Sequence, residues 1–473
     1  MDANSQPIQP KCQGGGQLTT GPFPSPVSFR DSQSRVVIEG DVVRRTFTGD
    51  GAEWFRAAHQ SGLLTDLVER RLLYPYQTSE LDGRLVVTSQ PIAVPTFPYE
   101  WSYNMLRDAA LLTLEVAELA WKAGFHLRDA SAFNVLFSDD GPRFIDLGSF
   151  RPGHTPYWFA FGQFGDHFLN PLVMAHASGV EAKWAWQRGL EGLSAADLRG
   201  LLGRKLVRPG LFTQVWLRAA LEARNASTSV DERTRLRNQA GLPPEAIASR
   251  FGRLANLIQG LDAPPKKGWA EYQGECSYTD PQSAAKTGFV EAAARKWAGD
   301  LAIDVGANTG AYSEILSKHF RTVAAVEGDE AALDTMYLRQ RSGSLSGNVR
   351  PILADILDPA GGRGVMGMER PALLSRLGNA SLVSWLAVLH HLVVSSNLPL
   401  SLFAEMAASM APNHVVEYVS PEDPMAKLLT AGRPEPPWAL DVDTFEREMA
   451  NRFETVDRSD ISDTRRMYAL TRL

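Results

Sequence analysis

The apolar run Leu301-Ala302-Ile303-Asp304-Val305 opens directly into Gly306-Ala307-Asn308-Thr309-Gly310 and then into a helix-forming stretch. Glycines at such a junction let the backbone turn tightly and approach a ligand with no Cβ in the way. A second apolar run, residues 322–326, ends in Glu327, 17 residues beyond Gly310. A carboxylate there can accept hydrogen bonds from two vicinal ribose hydroxyls. A third run ends in Ala354-Asp355, within reach of a base edge. A fourth is followed by Leu389-His390-His391-Leu392, and a neutral imidazole can take a proton near physiological pH. Residues of these types in this order suit capture of a nucleoside-bearing ligand beside a candidate base.

Such residues need strand ends to hold them. Apolar runs at 301–305, 322–326, 349–353, 381–386 and 414–418 alternate with helical stretches, which predicts a doubly wound α/β sheet over 269–473. Upstream, the pattern predicts a short hairpin over 36–43, a helix over 52–73, a strand over 84–88 and a helix over 105–123 ended by Gly124. Residues 1–34, rich in Gln, Gly, Pro, Ser and Thr, read as a disordered tail. Breakers such as Leu242-Pro243-Pro244 mark a helical linker over 226–268, leaving 35–225 as a separate N-terminal domain.

That N-terminal stretch has its own polar constellation. Arg128-Asp129 is followed by Asn134 five residues after the Asp, and by Asp146-Leu147-Gly148 twelve residues after the Asn. Dense aromatics at 98–102 and 157–164 read as core or, alternatively, as a pocket for an aromatic or sugar-like ligand.

The DVGANTGAYS string and the four stations after it resemble the class I S-adenosylmethionine (SAM) methyltransferases. The likeness covers about 265–473 and implies a Rossmann-like seven-stranded sheet. It also implies that Gly306, Asn308 and Gly310 line the methionine portion, Asp304 sits beneath it, Glu327 holds the ribose and Asp355 contacts the adenine amine. Tyr272 and Tyr278 would close over the cofactor or merely pack the preceding segment. His390 and His391 are candidate catalytic bases, or one packs on the sheet while the other caps a helix. The acidic residue common on the fourth strand is missing, with Asn379-Ala380-Ser381 in its place. Another nucleotide-binding Rossmann domain is the competing interpretation, although GANTG lacks the third-glycine spacing of the dinucleotide fingerprint.

The R-D-x-x-x-x-N and D-x-G spacing resembles the catalytic and metal-binding loops of protein-kinase-like phosphotransferases, which implies an α+β kinase-like domain over 35–225. Asp129, Asn134 and Asp146 would be its remnant polar positions. There is no glycine-rich loop and no strand lysine; Arg44 and Arg45 occupy the nearest strand. That departure points to a domain inactive in phosphoryl transfer, or to a structural hydrogen-bond network. The whole order of motifs is similar to bacterial methyltransferases of the host-specific nodulation type.

Composition narrows the partners. The 473 residues carry 48 basic and 54 acidic side chains, a net charge of −6, so nonspecific nucleic-acid binding is not expected. Cys12 and Cys276 alone cannot build a disulfide framework or a cysteine zinc site within one chain, and no metal is expected. No basic-then-apolar leader opens the sequence, and the most apolar stretch is broken by His390 and His391. A cytoplasmic protein with no membrane partner is the expectation. The function expected is SAM-dependent methyl transfer to O or N of a small-molecule or glycan-type acceptor. The alternatives are a phosphotransferase with a SAM-sensing domain and a non-catalytic binding protein; oligomeric state is left open.

Overall fold

The computed structural model describes residues 30–81, 84–208, 210–220, 243–264, 279–430 and 440–473. Its central feature is a seven-stranded mixed sheet built from β9 (Gly299–Val305), β10 (Phe320–Glu327), β11 (Val349–Leu353), β12 (Leu382–Trp385), β13 (Asn413–Val419), β14 (Phe453–Ser462) and β15 (Arg465–Arg472). The spatial order is β11-β10-β9-β12-β13-β15-β14. The first five run parallel, while β15 lies antiparallel to both β13 and β14. The central strands are near-continuous apolar runs because helices cover both of their faces.

Alternate residues of each strand feed two cores. Leu301, Ile303, Ala324 and Val383 face one cluster. Ala302, Val323, Ala325 and Leu382 face the other, which continues into the N-terminal half through Trp101, Phe137 and Phe144. The two halves thus share apolar contacts along that face.

The N-terminal half begins with an antiparallel four-stranded sheet in the order β1-β2-β4-β3. Its strands are β1 (Ser34–Glu39), β2 (Val42–Phe47), β3 (Gln77–Leu81) and β4 (Arg84–Ser89). It is followed by α1 (Tyr103–Lys122), whose first turn is capped by Ser102, with Gly124 in the left-handed region just past its end. Two short hairpin-like pairs, β5 (Phe125–Leu127) with β8 (Phe150–Pro152) and β6 (Val135–Ser138) with β7 (Gly141–Phe144), carry the polar loops between them.

Three expectations need correction. The single helix over 52–73 is two, Asp50–Gln60 and Leu63–Glu69, because Gly62 adopts φ 81 between them. The tail does not extend to residue 34: Ser34 opens β1, Arg30 pairs with Glu369, and Asp31 accepts from Ser34. The stretch read as linker contains α2 (Pro244–Gln259), which packs into the N-terminal half with the Phe251 ring 6.3 Å from Trp121 and 5.0 Å from Trp158.

Three further helices matter to the sites: α3 (Asp280–Lys296), α4 (Ala311–Ser317) and α5 (Glu330–Arg341). The contact between α5 and α1 is polar and buried. Asp334 accepts from Ser102 Oγ at 2.7 Å, Asn104 N at 3.0 Å and Asn104 Nδ2 at 2.5 Å. Tyr337 and Arg341 each donate to Asp108 at 2.6 Å. Arg376 makes a buried ion pair with Glu100, and Arg350 donates to Asp139 at 2.7 Å. Asp334, Asp108, Glu100, Arg376 and Arg350 are buried, and unpartnered each would carry a large desolvation cost, so the two halves lock in one arrangement. No helix among the described residues is long and apolar enough to cross a membrane.

Candidate functional site

In the seven-stranded sheet, connections leave β9 toward β10 on one side and arrive at β12 on the other. That reversal opens a crevice at the carboxyl ends of β9 and β12, where ligands of open α/β sheets bind. The glycine loop and the His390–His391 segment both lie at this reversal.

Gly306 follows β9 directly, with φ 67 and an exposed surface. A Cβ on it would come within 2.4 Å of Val388 Cγ2. Asn308 and Gly310 are also left-handed, at φ 51 and 85, so three residues in five adopt a conformation that only glycine takes cheaply. Glu327, at the end of β10, holds the loop in that shape. Its Oε2 accepts from Asn308 N at 2.7 Å, and its Oε1 accepts from Asp329 N at 2.8 Å. Each oxygen keeps a further acceptor site. Burial raises the Glu327 pKa, opposed by those backbone donors. Asn308 Oδ1 is buried without a partner.

Asp304 is 2% exposed and does not face solvent. It accepts from Ser313 Oγ at 2.6 Å and Ser384 Oγ at 2.5 Å, tying β9 to α4 and β12 beneath the loop. Burial raises its pKa, and the two hydroxyls oppose the shift. Asp355 is exposed just past β11 and accepts from Leu357 N at 2.9 Å. Tyr272 and Tyr278 lie outside the described residues.

His390 is 3% exposed, and its Nδ1 has no hydrogen-bond partner. Burial, with smaller contributions from His391 and Arg465, pushes its pKa down to about 3. The expected titration near neutrality is therefore corrected: this imidazole stays neutral through the physiological range. His391 stands 4.3 Å away ring to ring, half-buried, its pKa also lowered by burial. The backbone turns sharply before them at Ala387, where φ is 55, a strained value for a residue with a Cβ.

A charge cluster flanks this segment, and its carboxylates, Glu417 and Asp423, end the fifth apolar run of the sequence. Lys286 on α3 and Glu417 on β13 form a buried ion pair at 2.7 Å, and Arg465 bridges Glu417 to Asp423. The Lys286 ammonium lies 4.7 Å from the centre of the Tyr312 ring, just past the glycine loop. The signal was present only as charged residues inside apolar periodicity: Glu417 interrupts Val415-Val416 and Tyr418.

Asp129, Asn134 and Asp146 do come together, all three lining one cavity of about 440 Å3 between the four-stranded sheet and the β6–β7 region. Asp129 accepts from Ser131 N at 2.8 Å, and burial next to Asp146 pushes its pKa up to about 6. Asp146 Oδ1 accepts from Arg45 at 3.0 Å and from Gly148 N at 3.1 Å. Asn134 Nδ2 is buried with no partner.

The fold defines a mixed α/β protein with its glycine loop at a topological switch point. No family model matches the chain. It is 30% identical over 455 residues to nodulation protein NoeA of Rhizobium meliloti (strain 1021), covering 93% of this chain and 94% of that protein. The chain belongs to the NoeA family of nodulation proteins. Among solved structures it is similar to the N-methyltransferase NodS from Bradyrhizobium japonicum WM9, at 12% identity and TM-score 0.30 over 41% of this chain and 97% of that one. A second is the magnesium protoporphyrin IX methyltransferase ChlM from Synechocystis PCC 6803, with bound S-adenosylhomocysteine (SAH). It is 15% identical at TM-score 0.30, over 41% of this chain and 84% of that one.

Proposed function

We propose that the chain is a SAM-dependent methyltransferase acting on O or N of a small-molecule or glycan-type acceptor. The observation that carries this reading is the left-handed glycine loop at the switch point, pinned through Asn308 N by a carboxylate at the end of the next strand. The residues fit an adenosyl group. Glu327 retains acceptor capacity toward a diol, and the exposed Asp355 carboxylate can accept from an exocyclic amine.

When bound, SAM supplies a sulfonium-activated methyl group that needs neither metal nor covalent enzyme intermediate. The chain's task is then alignment and exclusion of water, for which oriented systems allow roughly 7–11 kcal/mol. Asp304 contributes by holding β9, α4 and β12 in register under the loop. His390, neutral and with Nδ1 unpartnered, is suited to accept a hydrogen bond from the acceptor and orient its lone pair, rather than to carry a proton away. His391, less buried, is the better of the two as a proton acceptor.

The gathering of Asp129, Asn134 and Asp146 in one cavity favours a second reading, phosphoryl transfer. Arg45 on Asp146 opposes it, because a guanidinium sits against the carboxylate that would hold a cation. Calorimetric titration of the full chain with SAH, and separately with ATP and magnesium, tests both. Micromolar SAH binding without ATP binding supports methyl transfer. ATP binding without SAH binding sinks it.

A further inference from the structure

The cavity that holds Asp129 and Asp146 is not built from the N-terminal half alone. Glu369 and Arg370, from the segment between β11 and β12, line it as well, so whatever fills it touches both halves. At about 440 Å3 it lies within the range that takes small organic ligands.

Three of its four guanidiniums are ion-paired in place. Arg45 pairs with Asp146 at 3.0 Å, Arg128 with Asp31 at 3.4 Å, and Arg30 with Glu369 at 3.1 Å. The fourth lining guanidinium, Arg370, lies 4.7 Å from the centre of the Phe133 ring. A polyphosphate entering here would meet Asp129 and Asp146 while the facing guanidiniums are already engaged. A divalent cation would have to displace Arg45. What the wall offers instead is unsatisfied hydrogen-bonding capacity. Asn134 Nδ2 and Arg370 Nε are buried donors with no partner, each a costly omission unless an acceptor oxygen arrives. Asp129 supplies an acceptor beside them, and Val36, Val43, Val87 and Leu136 give an apolar wall. Unpaired donors beside acceptors, in a cavity with most of its charges paired and one apolar face, match a molecule whose hydroxyls both donate and accept and whose ring carries C–H faces.

We propose that this cavity binds a neutral, hydroxyl-rich ligand of saccharide size, held between the two halves without a divalent cation. The proposal does not depend on the methyltransferase reading.

The test uses the full chain in EDTA against a panel of neutral mono- to trisaccharides, by saturation-transfer NMR, with calorimetry on the strongest binder. At least one saccharide binds, and Asn134→Ala and Asp129→Ala each weaken it about tenfold or more, the loss of one well-made hydrogen bond. SAH titration and a thermal melt on each variant verify the fold. Arg370→Lys, which keeps the charge and removes Nε–H, guards against Asn134→Ala failing to fold and weakens binding likewise. The proposal is overturned if no saccharide in the panel binds, if binding survives Asn134→Ala, Asp129→Ala and Arg370→Lys alike, or if ATP with magnesium binds this cavity and loses affinity on Asp146→Ala.

Discussion

Two carboxylates, Glu327 and Asp146, invite comparison: Glu327 ends β10 beside the glycine loop, and Asp146 follows β7 and lines the cavity of about 440 Å3. Their partners differ. Glu327 is held by two backbone N–H groups, which fix its orientation and leave its negative charge and spare lone pairs available. Asp146 accepts one backbone N–H, from Gly148, and its charge is met by the Arg45 guanidinium on the same oxygen. Backbone donors build a site that still wants a ligand's hydroxyls, whereas a side-chain cation completes a site internally. The difference leaves the Glu327 carboxylate with spare acceptor capacity, while the Asp146 charge is already met within the chain.

The largest expected effect breaks that comparison at Glu327. Glu327→Ala removes the anchor of Asn308 N and the diol acceptor together. With about 1.5–3 kcal/mol for each hydrogen bond to a charged group, SAH affinity should fall roughly 100-fold or more. Asp146→Ala should leave SAH affinity within about twofold. Calorimetry on the two variants side by side decides it. Equal losses would mean that the halves are energetically one site.

The next effect is steric. Gly306→Ala puts a Cβ 2.4 Å from Val388 Cγ2 at a φ of 67, combining overpacking of about 1–3 kcal/mol with a left-handed penalty of about 1–2 kcal/mol. Chemical denaturation should register the loss. Val388→Ala in the same chain should recover the packing part and leave the backbone part. If the double variant is no more stable than the single, Val388 is not what Gly306 accommodates.

The contrast between the clefts was partly legible in the sequence, and the limit has a physical cause. The glycine loop, Glu327 and Asp304 are readable because their partners lie within about a strand and a turn: Asn308 to Glu327 spans 19 residues, and Asp304 to Ser313 spans nine. Arg45 reaches Asp146 across 101 residues and Arg30 reaches Glu369 across 339, so no spacing rule announces either pair. The His390 environment was invisible for the same reason. Its depressed pKa comes from burial, then from His391 and from Arg465, which the β13–β15 pairing brings near; Glu417 and Asp423 oppose the shift. The β14–β15 hairpin itself escaped notice because the outer strand alternates charged, exposed residues with few apolar ones, as an unpaired edge must. Conversely, the break at Gly62 was misread because the apolar periodicity runs through it.

The smallest effect is also the one that separates the two clefts by sign. His390 has a folded pKa of about 3 against an ordinary 6.5, so between those values the unfolded chain binds more protons and stability falls as pH drops from about 6.5 toward 3. Asp129 has a folded pKa of about 6 against an ordinary 3.8, so between those values the folded chain binds more protons and stability falls as pH rises from about 4 to about 6. Each group contributes at most about 1.4 kcal/mol per pH unit. Urea denaturation at pH 4.5 and pH 7 of the parent, His390→Gln and Asp129→Asn reads the two slopes. His390→Gln should lose less stability than the parent on going from pH 7 to 4.5. Asp129→Asn should lose more, because the parent's Asp129 recovers its protonated, favourable form at the lower pH. If both variants shift in the same direction, one of the two clefts is solvated enough that burial does not set its chemistry.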